Sequence, residues 1–145
     1  MKKTIRLAAL LACLCMMISV FCSCSSSKFP AGIYVNVSED EGFIYSDGLI
    51  LVYCVFSDGA ISRFQVSTTD DYKFKSSSHM LNEELQADLY DEKKYEDGRI
   101  VDSRSEYNSY WLVKISDNPN EFDGMEKSDV YEKISERLKD MGEQP

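Results

Sequence analysis

One histidine, five cysteines and 25 acidic side chains form the reactive inventory of this 145-residue chain. His79 stands in the polar stretch Ser76-Ser77-Ser78-His79, and any Ser-His-Asp triad would have to be built on it. Cys13, Cys15, Cys22 and Cys24 crowd the N-terminus, which leaves Cys54 as the one later thiol. One imidazole and one thiol are too few for a zinc site, and nothing adjacent to Cys54 supplies the base or positive charge that activates a cysteine. Paired carboxylates are the chemistry of glycoside hydrolysis, but 25 acids offer so many pairs that no pair is singled out. The stretch from Asp117 through Asn118, Asn120 and Asp123 to Gly124 has the flavour of a calcium loop. Counted from Asn118, Phe122 falls where an oxygen ligand is required, so the segment reads as a strand-to-helix connection. Tyr107, Tyr110 and Trp111 form the densest aromatic cluster and are the candidate binding residues, since Tyr and Trp favour interfaces and stack on sugars. No cofactor, metal or catalytic residue is expected, and the chain is read as not an enzyme.

The N-terminus carries an address. Lys2, Lys3 and Arg6 precede a 15-residue uncharged run over 7–21, after which serines dominate. That is the layout of a secretory signal, and the run falls short of the roughly 20 apolar residues that span a bilayer. The chain then reads Val20-Phe21-Cys22-Ser23-Cys24-Ser25, which resembles the lipobox of bacterial lipoproteins, where a small residue precedes a cysteine that becomes thioether-linked to diacylglycerol. Cys24, preceded by Ser23, fits that role better than Cys22, preceded by bulky Phe21. The resemblance implies a cleaved signal over 1–23, a membrane anchor of acyl chains such as palmitate on Cys24, and, with Ser25 in place of Asp after the cysteine, outer-membrane sorting. Each acyl chain adds about 0.8 kcal/mol per buried CH₂, so multiple chains hold a protein without a spanning helix. Residues 24–30 then form a serine-rich tether, and 31–145 a single sheet-rich domain. Cys54 becomes the lone mature thiol, inside an apolar run over 49–56 that makes it a small buried hydrophobe.

The signal contains three basic residues and no acid. The whole chain is at net charge −9, and the mature part, with 13 Lys and Arg against 25 Asp and Glu, is more acidic still. Such a surface is a poor match for nucleic-acid phosphates.

The pattern aromatic-x-Asp-Gly-x-Ile occurs at Tyr45 to Ile50, Phe56 to Ile61 and Tyr95 to Ile100, and each Asp-Gly marks a tight turn between antiparallel strands. Strands are expected over 32–37, 42–45, 49–56, 60–68, 72–75, 99–103 and 107–115, most alternating apolar with polar residues. Residues 49–56 are apolar on both faces, so both sides of that strand must be covered. Two helices can cover them. One spans 82–94, with Leu81, Leu85 and Leu89 in line, Glu83 and Glu84 first and Lys93 and Lys94 last; the other starts at an Asp129 N-cap, aligns Val130, Ile134, Leu138 and Met141, and stops at Gly142.

These elements give an α+β fold, an antiparallel β-meander packed with two helices; the alternative is a small lipocalin-like barrel with a C-terminal helix. The function expected is a lipid-anchored accessory or interaction protein of the bacterial cell envelope, joined to the membrane by lipid and to an envelope or host protein by its surface. A barrel would instead carry a small apolar ligand. Acidity also allows an inhibitor of a basic enzyme such as lysozyme, although the Ser-Gly-x-x-Tyr signature and disulfide of the small envelope lipoproteins that do this are missing.

Overall fold

Ile33, Val35 and Val37 alternate with Tyr34 and Asn36 along β1 (Gly32–Ser38), and all three fall on the face that carries the main core. A computed structural model of the chain describes residues 28–38, 48–102 and 110–143. The signal, Cys24, the strand expected over 42–45 and Tyr107 lie outside them. After β1 come β2 (Leu49–Val55), β3 (Ile61–Ser67), α1 (Glu83–Glu92), β4 (Lys93–Glu96), β5 (Arg99–Asp102), β6 (Tyr110–Ser116) and α2 (Lys127–Asp140). The six strands form one antiparallel sheet in the order β3-β2-β1-β6-β5-β4. The fold is thus α+β as expected. The alternative barrel is not formed: β3 and β4 remain as two separate edges, and the chain between them is spent on α1 rather than on closing strands.

The first meander, β1-β2-β3, and the second, β4-β5-β6, meet where β1 lies beside β6, with Val35 opposite Val113 and Val37 opposite Trp111. A bulge shifts the register between Ile33 and Tyr34, and there β6 crosses β1 so closely that a Cβ on Gly32 would run into the Ser116 carbonyl. Gly32 holds φ at +152°, so no other residue fits without moving β6.

One face of the two-faced apolar strand is covered along its length, and the other at its Val55 end, while Leu49, Leu51 and Tyr53 stay half-buried. On one side Ile50, Val52 and Cys54 join Phe64, Val66, Phe74 and Phe122 beneath Val130, Ile134 and Leu138 of α2. Each such side chain contributes roughly 1.5–3 kcal/mol of transfer free energy. On the other side Tyr34, Val55, Ile61, Ile100 and Leu112 pack with Leu89 and Tyr90 of α1 and with Phe29, which stacks on Tyr90 at 5.0 Å between ring centres. Phe29, counted in the tether, is 1% exposed and belongs to the folded unit.

The helices differ from expectation at their ends. Asn82 caps α1 by accepting from the Leu85 N–H at 2.8 Å, but Lys93 and Lys94 belong to β4 and not to the last helical turn. The Asp97-Gly98 turn explains this: both residues take positive φ, +50° and +80°, and a two-residue hairpin pairs Glu96 with Arg99 and Lys93 with Asp102. The buried side of α1 runs through Gln86, Leu89 and Tyr90; Leu85 is 45% exposed, because Leu81 is placed by β3 and not by helical spacing. The second helix has Glu126 and not Asp129 as its N-cap; Asp129 sits in its first turn. Val130, Ile134 and Leu138 are buried as read, whereas Met141 is 51% exposed as the C-cap. Beyond it Gly142 takes φ +76°, and the N–H groups of Gly142 and Glu143 return to the carbonyls of Lys139 and Leu138, closing the helix as a Schellman motif. The segment over 72–75 forms a single bridge, Lys73 to Glu126, and no strand of the sheet, because its backbone bonds go to Gly124, Met125 and Lys127 at the approach to α2.

Candidate functional site

Alternation along β3 exposes Arg63 and Gln65 between buried Phe64 and Val66, at the open edge of the sheet. The first part of that edge is covered. The Arg63 N–H donates to the His79 carbonyl at 3.1 Å and the Leu81 N–H to the Ile61 carbonyl at 2.7 Å, with Met80 opposite Ser62. Past Arg63 the chain departs into a turn closed by the Ser78 N–H on the Lys75 carbonyl. A cleft of about 590 Å³ opens there, walled by Arg63, Phe64, Gln65, Asp70, His79 and Lys127 and floored by Leu49 and Leu51. Lys127 Nζ meets Asp70 Oδ2 at 3.1 Å, which ties the start of α2 to the turn after β3. The same pair walls a second cleft with Ser67, Thr69, Asp71 and Tyr72, the last 78% exposed.

His79 lines the first cleft, with its Nδ1 2.8 Å from the Ser78 hydroxyl and its ring edge-on to Phe64 at 5.0 Å between centres. Cys54 is fully buried, and burial, reinforced by the negative charge of Asp123, pushes its thiol up to about 12 against the pull of the Ser62 hydroxyl. A thiol so protonated is no nucleophile. The acids of the calcium-like loop are committed to the fold. Asp123 Oδ1 accepts the Ser76 N–H at 2.6 Å, and the Ser76 hydroxyl lies 3.0 Å from Asp123 Oδ2 and 2.7 Å from Asn120 Oδ1. Glu121 takes both guanidinium nitrogens of Arg137, whose hydrogen bonds hold the carboxyl below its usual 4.5. Asp117 pairs with Lys114.

Of the three aromatic candidates, the side chain of Trp111 alone is among those described. Trp111 packs against the main core, with the Arg99 guanidinium over its ring at 5.1 Å; Tyr110 is placed by its backbone opposite Ser38, and Tyr107 lies outside the described residues. Arg63, Gln65 and Lys127 were not legible as a site. The alternation of Arg63 and Gln65 marks a half-buried strand, but nothing in it says that β3 is an edge or that Lys127, from the start of α2, lies beside it. Among the described residues no group of three His, Cys, Asp or Glu side chains could hold a metal, and no helix is long and apolar enough to cross a membrane. No known protein family, curated protein or solved structure matches the chain.

Proposed function

We propose that this protein is a lipid-anchored accessory protein of the bacterial cell envelope, sorted to the outer membrane, that docks a partner and catalyses no reaction. The cleft on the half-covered β3 edge is the observation that carries the docking role, since it sets a polar surface beside backbone able to bond another chain. The protonated Cys54 and the structural engagement of Asn120, Glu121 and Asp123 support the non-catalytic reading. The open, largely polar cleft gives no support to a carrier of apolar ligands.

The anchor is tested on envelope fractions of cells making the full chain. Intact mass should show cleavage before Cys24 and an acylated N-terminus, and Cys24→Ser should release the protein from membranes. An unmodified soluble wild-type product refutes the anchor. A second reading, inhibition of a basic enzyme, is favoured by the exposed acids Glu83, Glu84, Asp88 and Asp91 along α1. It predicts salt-sensitive binding to lysozyme, and no binding at low ionic strength removes it.

A further inference from the structure

The hydrogen bonds of the covered half of β3 settle which backbone groups point outward. Arg63 donates away from the sheet and Ile61 accepts from outside it; in an unbroken antiparallel ladder the same holds at every second residue, hence at Gln65 and Ser67. The Ser67 carbonyl accepts from the Asp70 N–H at 3.4 Å. No hydrogen bond among the described residues reaches the N–H or carbonyl of Gln65, which is exposed and borders the cleft.

A strand added here is bounded at both ends: the turn through Asp70 uses the Ser67 carbonyl, and the segment through His79 covers the other end. His79 already occupies the place opposite Arg63, so an incoming chain that pairs with Gln65 and the Ser67 N–H must end, or turn away from the sheet, as it reaches Arg63. Running antiparallel to β3, it would bring its C-terminus there; running parallel, its N-terminus. The charge at that end distinguishes the two. Arg63 is exposed and has no ion pair among the described residues, and Lys127, the other cation of the cleft, is held by Asp70. A free carboxylate suits the Arg63 guanidinium as a charge-assisted hydrogen-bond acceptor, while an ammonium would be repelled.

We propose that the open half of the β3 edge binds the C-terminal tail of a partner protein as an added antiparallel strand, with the tail's free carboxylate beside Arg63. Such a site presupposes the docking role proposed for the chain and specifies what it docks. Backbone bonding to Gln65 makes it tolerant of tail sequence; the block at His79 stops the strand beside Arg63, whose charge favours a chain that ends there in a carboxylate.

The full chain, immobilised in detergent, is offered a degenerate heptapeptide library with free C-terminal carboxylates and the same library as C-terminal amides. Free acids should be retained at least tenfold over amides. Arg63→Gln should erase that preference, and Gln65→Pro, which removes one outward donor and leaves the β2-facing bonds of Phe64 and Val66, should lower retention at least tenfold. Gln65→Thr should bind like wild type, and Arg63→Gln decides the matter by itself if the proline variant fails to fold. Equal retention of acids and amides, retention of neither library, or retention unaffected by Gln65→Pro in a folded variant overturns the site. A concentration-dependent dimer of the chain that Gln65→Pro dissolves would place a second copy on the edge and equally overturn it. None of these outcomes alters the mass of the N-terminus or the membrane fraction, so the anchor stands or falls separately.

Discussion

Cys54 and Glu121 show how one residue type can be reactive in general and structural in place. Burial raises the Cys54 thiol to about 12, so at pH 8 it should resist a thiol reagent in the folded protein and label only on unfolding. Peptide mass mapping of the Cys54 peptide checks this, and prompt native labelling would contradict it. Cys54→Ala should cost about 1–2 kcal/mol, the scale of a small buried deletion. Glu121 works in the opposite sense. Its carboxyl titrates below 4.5 when folded because Arg137 favours the charged form, so its contribution to stability is fully present above 4.5 and is lost as pH falls through the lower, folded value. Urea midpoints measured between pH 3 and 6 should therefore fall less steeply with acid in Glu121→Gln than in wild type; parallel curves would remove the ion pair from the account. The burial of Cys54 was legible from its apolar run, while the role of Glu121 was not, because Arg137 lies 16 residues away and only the turn over 117–124 brings it near.

At the scale of elements, turn chemistry proved more legible than helix ends. The three Asp-Gly pairs were all read as hairpin turns; Asp47 lies outside the described residues, and the turns at Asp58 and Asp97 differ. Gly59 alone is left-handed after Asp58, in a three-residue loop where the Ala60 N–H reaches Asp58 Oδ1, whereas Asp97 and Gly98 are both left-handed in a two-residue turn. The dipeptide specifies a reversal, and the flanking register decides its kind. That reversal also overrode a lysine pair well suited to a helix C-terminus and drew Lys93 and Lys94 into β4. Glycines of positive φ accordingly divide into two kinds. A Cβ at Gly98 meets open space, so Gly98→Ala should cost about 1 kcal/mol of backbone strain. At Gly32 a Cβ strikes the β6 backbone, and Gly32→Ala should cost several times more, on the order of 3 kcal/mol. Chemical denaturation of the two variants gives the comparison directly, and equal losses would show that β6 yields to the new methyl.

For the molecule as a whole, the decisive contact is the one no local pattern reveals. Composition and alternation supply strands, but not that the first strand pairs with the last, across about 80 residues of chain, to weld two meanders into one sheet. Loop closure of that length is slow and costs entropy, and the covered core repays it only once both halves are present. Trp111, the single tryptophan, stands on β6 opposite Val37 of β1 and against the main core, so its fluorescence reports on the weld itself. If the weld makes one cooperative unit, the urea transition followed by Trp111 emission should coincide with that followed by far-UV circular dichroism. Amide exchange should then protect Val35 and Val113 at the level of global unfolding, with β4 and the outward Gln65 amide exchanging far faster. Separate transitions would mean that the β1-β2-β3 half, which carries the open edge, holds its structure without the other, and the proposed docking surface would then be a property of three strands and α2 rather than of the whole sheet.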